Sequence, residues 1–256
     1  MSDSNPTVYF VIGTPGSSRR ALVRDLAENG LADEKVVVLL AEGELPSPAD
    51  ARLAKLAHVE VRRWSWTGSA FPPQELPAGA TVFLLADPWT DVIDQLEALK
   101  PWLQAQGREL ARILCCVDCQ LAEKNAVLFQ WYDAVIRFSD VVFLANREGV
   151  ANKWLSDFIA RYKDEAYPCE FIYMKKGDLP NPALVLDPTP RRLTQYFEEE
   201  YVDLGDIEIE TDDEEEEDED EEVDDGLPEV EPYFLRQRSG RREKELPDMR
   251  EFLPKK

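Results

Sequence analysis

Residues 13–20 read Gly-Thr-Pro-Gly-Ser-Ser-Arg-Arg, between the apolar run "VYFVIG" and an amphipathic stretch that continues to residue 30. An apolar strand, a glycine turn and a helix start in that order form a place for an anion, because backbone N–H groups converge where the helix begins. The nearest pattern with defined chemistry is G-x-x-x-x-G-K-[ST], in which the loop cradles phosphates, lysine reaches the outer ones and the hydroxyl holds magnesium. Counted from Gly13, Ser18 falls on the second glycine, Arg19 on the lysine and Arg20 on the hydroxyl residue. An arginine fork can hold phosphate, but it is no copy of a compact ammonium, and it is not a metal ligand. Gly13, Gly16, Ser17, Ser18, Arg19 and Arg20 are therefore candidate phosphate-binding residues, with anion binding favoured over phosphoryl transfer. A glycine loop at this junction can also do no more than turn the chain.

A second chemical stretch is "TVFLLADPWTDVIDQL", an apolar run ending in an acid. Asp87 fits a magnesium-side carboxylate of a phosphoryl-transfer site. It equally fits the N-cap of the next helix, with Pro88 at the first helical position. His58 is the single histidine, which excludes paired-histidine metal sites and HExxH chemistry. Cys115, Cys116 and Cys119 crowd into five residues, with Cys169 apart. Neighbours 115 and 116 in a strand point to opposite faces, so they do not enter one tetrahedral site, and buried reduced thiols are expected rather than a metal centre.

These residues need a frame. Apolar runs at 7–13, 35–41, 59–64, 80–86, 112–118, 140–146 and 169–174 predict seven strands. Most are continuous Val/Ile/Leu/Phe, as expected of strands covered on both faces. Helical patterns at 18–30, 47–57, 90–107, 120–138 and 150–164 lie between them, and 189–201 suggests a last helix. Strict alternation predicts an α/β fold, a mostly parallel sheet with helices on both faces. Ligands of such sheets sit at the carboxyl ends of the strands. The six tryptophans are expected in the core, although Trp64, Trp66 and Trp89 fall near strand ends.

Charge divides the chain. The net charge is −23, and twenty acids with no Lys or Arg lie between Glu198 and Asp225, which leaves about −3 for the rest. Such a block cannot bury enough apolar surface to order itself. The expected organisation is an α/β domain over 1–198, a disordered acidic linker over 199–228 and a basic, aromatic segment over 229–256. That last segment reads either as a docking peptide or as a disordered end. Truncation after Phe197 is expected to leave the core stable. No basic surface suggests direct nucleic-acid binding. No apolar run approaches the ~18 residues that span a bilayer. With no signal-like N-terminus, the protein is expected to be cytoplasmic. The acidic block offers a basic protein partner an electrostatic attraction.

The stretch "CVDC…FSDVVFLANREGV" adds a resemblance. A strand ending in Val-Asp, a helix, Ser-Asp, a strand and Asn-Arg-Glu-Gly resemble the motif order of the CobW family of P-loop GTPases. "LLADP" and "GTPGSSRR" stand in that family's Walker B and phosphate-loop places, so the likeness covers roughly 7–175. It implies a P-loop NTPase-like fold, GTP or ATP with magnesium as ligand, Asp118 beside Asp87 as a magnesium-side acid, and Asn146 as a base-binding residue. Asp178, in "KKGD", is the alternative base reader. The departures fall on the chemistry. The loop has no lysine or hydroxyl, "TVFLL" replaces an acid and a glycine, Gly149 takes the place of the base-reading aspartate, and a Cys-x-Cys-Cys metal motif is absent. The expectation is an eroded nucleotide fold used as an interaction module. The alternatives are an active GTP or ATP hydrolase with an arginine loop, and an α/β domain for another phosphorylated anion.

Overall fold

A computed structural model describes residues 7–175, 177–198 and 231–252. The acidic linker expected over 199–228 lies outside the described residues. All seven expected strands form: β1 (Thr7–Gly13), β2 (Val36–Ala41), β3 (Val59–Trp64), β4 (Thr81–Leu85), β5 (Glu109–Asp118), β6 (Val141–Ala145) and β7 (Glu170–Tyr173). They make one sheet in the order β3-β2-β4-β1-β5-β6-β7, with every pairing parallel.

Alternate residues of each strand feed two cores. Val8, Phe10 and Ile12 of β1 face one side, where α3 (Val92–Gln106), α5 (Phe129–Arg137) and α6 (Asn152–Lys163) pack. Tyr9 and Val11 face the other, against α1 (Arg19–Asp25), its π-helical extension Leu26–Gly30, and α7 (Pro182–Leu186). Cys115 falls in the first core and Cys116 in the second, as the strand period requires. All four thiols are free and buried.

Three expectations need correction. The pattern at 120–138 is not one helix: α4 (Cys119–Lys124) ends at Asn125, a single 3-10 turn follows, and α5 then begins. Residues 189–198 are not helical. Asp140, completely buried at the start of β6, accepts from the Arg191 amide (2.6 Å), from Arg192 (3.0 Å) and from the Ile113 amide (2.7 Å), which fixes this stretch as a strap. Prolines 188 and 190 also lack the donors a helix needs. Finally, the described part of the C-terminal segment buries apolar surface, which agrees with the docking reading and departs from the disordered-end reading and the truncation expectation. Phe234 stacks on the buried Phe138 with centroids 5.3 Å apart, Met249 is buried, and Tyr233, Leu246 and Phe252 pack on the same core. Arg242 binds Asp94 (2.5 Å) and Glu97 (2.6 Å) of α3, and Glu231 binds Arg137 of α5 (2.9 Å).

Candidate functional site

The chain leaves β1 for β2 by passing over the place that β4 later fills, and β5 lies on the other side of β1. The carboxyl end of β1 is thus a point where strand order reverses, and such points leave a crevice for ligands. The glycine loop fills it. Gly13 has φ +152°, and a Cβ there would lie 2.6 Å from Ser17 Oγ and 2.7 Å from the Cys116 carbonyl, so no other residue fits. Gly16 turns the loop with φ +85°, and Ser18 adopts a left-handed φ of +68° as the N-cap of α1. Ser17 folds inward, donating from its hydroxyl to the Thr14 carbonyl at 2.7 Å. The Thr14 hydroxyl is buried without a hydrogen-bond partner.

Both arginines are committed to carboxylates of this chain. The Arg19 guanidinium is 3% exposed and donates to the Ala86 carbonyl (2.7 Å) and to Glu44 (2.8 Å). Arg20 donates to Asp50 (2.7 Å) and to the Leu45 carbonyl (2.6 Å), with Glu44 at 3.4 Å. Asp50 also completes a capping box with Ser47 at the start of α2 (Pro48–Leu53). Glu44 lies three residues past the carboxyl end of β2, and its partnership with Arg19 joins residues 25 positions apart. Its composition signal is nil, because an acid in a polar loop is ordinarily solvated.

Four of the expected residues meet. The Asn146 amide donates to Asp118 (2.8 Å) and to the Gly16 carbonyl (3.0 Å), and Ser18 Oγ lies 3.4 Å from the Asn146 oxygen. Asp118 uses its other oxygen to cap α4, accepting from the Leu121 amide. Asn146 has a left-handed φ of +51°, a conformation its short polar side chain tolerates. The two other acids stand apart from this cluster. Asp87 accepts from the Trp89 amide (3.0 Å), while the N-cap of α3 is Asp91, four residues later than the capping alternative expected. Asp178 is exposed and pairs with Arg24 of α1 (2.5 Å). Arg147, next to Asn146, stacks on Tyr173 with 4.6 Å to the ring centre.

A cavity of about 500 Å³ opens beside the loop, lined by Thr14, Ser18, Arg20, Arg24, Ser47 and Arg52 among others. Among the described residues no cluster of three or more His, Cys, Asp or Glu could hold a metal ion, and no helix is long and apolar enough to cross a membrane.

The fold is an all-parallel α/β sheet with helices on both faces and a glycine loop between its central strand and first helix. The chain matches no protein-family profile and no curated protein. Among solved structures it is similar to the Zn(II)-bound YjiA GTPase from E. coli, at 15% identity and a TM-score of 0.45, and to a Zn(II)-bound triple mutant of the YjiA GTPase, at 16% and 0.47. It is also similar to the signal recognition particle receptor FtsY from Elizabethkingia anophelis in complex with GDP, at 13% and 0.48. These likenesses cover 73% of this chain, and 67% of the YjiA chains and 65% of the FtsY chain.

Proposed function

We propose that this chain is a CobW-like P-loop protein that does not turn over nucleotide and serves as a cytoplasmic interaction module. One observation carries the reading: the cation at the lysine position is consumed. Phosphoryl transfer needs a loop lysine and a hydroxyl-held magnesium to neutralise charge on the phosphate oxygens. Arg19 reaches a phosphate only by leaving Glu44 and the Ala86 carbonyl, and Arg20 supplies no metal ligand. The Asp118–Asn146–Gly16 cluster preserves the frame of a nucleotide pocket, while Gly149 offers no acid to pair with guanine. GTP or ATP with magnesium is thus a weak ligand here and not a substrate. Calorimetry of the full chain against GTP, ATP, GDP and phosphate, with and without magnesium, tests this together with a phosphate-release assay. Turnover above a buffer control refutes it.

A second reading draws on the adjoining cavity. Arg20, Arg24 and Arg52 line it beside the unpartnered Thr14 hydroxyl, which favours a different phosphorylated anion. In the same calorimetry, phosphate binding without nucleotide binding supports that reading.

A further inference from the structure

Gly43, Glu44 and Leu45, the residues that follow β2, are each held from a different direction. The Trp89 indole donates to the Gly43 carbonyl (3.1 Å), Arg19 to the Glu44 carboxylate (2.8 Å) and Arg20 to the Leu45 carbonyl (2.6 Å). Trp89 belongs to the turn after β4, and Arg19 grips that turn as well, through the Ala86 carbonyl (2.7 Å). One buried guanidinium therefore joins the glycine loop, the loop after β2 and the loop after β4. In nucleotide switches, segments of this kind are ordered by the outer phosphate and its magnesium and released on hydrolysis. A ligand shifts such an equilibrium only by its different affinity for the two states. Where an internal ion pair already makes the bridging contacts, nucleotide has little left to bias.

We propose that the Arg19–Glu44–Ala86 bracket takes the place of a bound nucleotide and its metal, holding the loops at 42–47 and 86–91 in one fixed arrangement at all times. The module thus presents a constant surface, with the exposed Leu45 on a backbone pinned at its own carbonyl. This goes beyond the absence of turnover, because it concerns what the loops do when no nucleotide is present.

Hydrogen exchange on the full chain tests it. Peptides covering 42–47 and 86–91 should be protected in the free protein and unchanged by GTP with magnesium or by phosphate. Glu44→Ala should speed exchange at least tenfold in both segments, the equivalent of ~1.4 kcal/mol or more. If Glu44→Ala does not fold, Glu44→Gln and Arg19→Lys replace it. The first removes the charge and keeps the shape; the second keeps the charge but loses the fork that spans both partners, and each should raise exchange in the same two segments. Free-protein exchange at the rate of an unstructured peptide, added protection on nucleotide binding, or no effect of any of these variants overturns the bracket. Nucleotide turnover with unchanged exchange would instead refute the proposed function and leave the bracket standing.

Discussion

Phe234→Ala measures how firmly the C-terminal segment is bound to the core. The ring is half-buried, stacked on Phe138 with an interplanar angle of 28°, and edge-on to Tyr196 with centroids 4.7 Å apart. Truncating a fully buried phenylalanine to alanine costs about 3–5 kcal/mol. Phe234 keeps part of its surface in water, so about 2 kcal/mol is expected here, and a domain of this size loses ~2–4 °C in Tm per kcal/mol. The melting temperature, followed by circular dichroism, should therefore fall by about 4–8 °C. Arg242→Ala is the electrostatic counterpart. Its guanidinium is 7% exposed, but Asp94 and Glu97 are 35% and 38% exposed, so the loss is discounted to ~1–2 kcal/mol. Raising salt should shrink the gap between wild type and Arg242→Ala and leave the Phe234→Ala gap unchanged. A Phe234→Ala protein that melts within about 1 °C of wild type would refute the packing argument and restore the expectation that the core is indifferent to truncation.

Other outcomes follow from the same packing. Asp140→Ala leaves the Arg192 guanidinium buried and the Ile113 amide unpaired, so the urea midpoint should fall by the equivalent of ~3–5 kcal/mol. Burial raises Cys116, Cys119 and Cys169 from 9.0 to about 12. The unfolded thiols ionise first, the folded chain holds more protons between those values, and stability should be level below pH 8 and fall above 9 by ~1.4 kcal/mol per pH unit per thiol. Native protein at pH 8 should correspondingly resist thiol reagents that label all four cysteines in denaturant. If any nucleotide binds, GTP and ATP affinities should lie within about tenfold, and Ser18→Gly with Arg19→Lys and Arg20→Thr should strengthen both. A hundredfold preference for GTP would show that an acid still reads the base.

The five inner strands were legible because burial on both faces leaves continuous apolar runs, the edge strands β3 and β7 are only partly buried, and all seven fall within a few residues of their expected ends. What was missed depends on distant partners. α7 is five residues long between prolines, too short to show a period, and it forms where Arg112 of β5 donates to the carbonyls of Leu184 and Val185. The stretch after it looked helical, but its amides answer to Asp140 and Arg137. The docking of Phe234 depends on Phe138, a residue 96 positions earlier. At the site, the glycine loop and the Asp118–Asn146 pair carried local signatures. Glu44 carried none, since its role exists only once β4 places Ala86 beside Arg19.

Glu44 also decides how the departures at positions 19 and 20 are to be understood. Read along the chain, two arginines in place of a lysine and a hydroxyl look like simple loss. In three dimensions each has a carboxylate of its own, and the Arg19–Glu44 pair is almost wholly withdrawn from water. A pair of this kind is costly to break from one side, about 3–5 kcal/mol, because the remaining charge stays buried, whereas removing both charges is far milder. The two positions should therefore be strongly coupled. In a cycle of Arg19→Ala, Glu44→Ala and the double variant, each single change should lower stability by ~3 kcal/mol or more, and the double variant should lose ~1.5–3 kcal/mol less than their sum. Denaturant midpoints at constant slope give all four corners. Additivity within about 0.5 kcal/mol would mean that the two groups act independently, and that the glycine loop has lost its lysine without gaining a bracket.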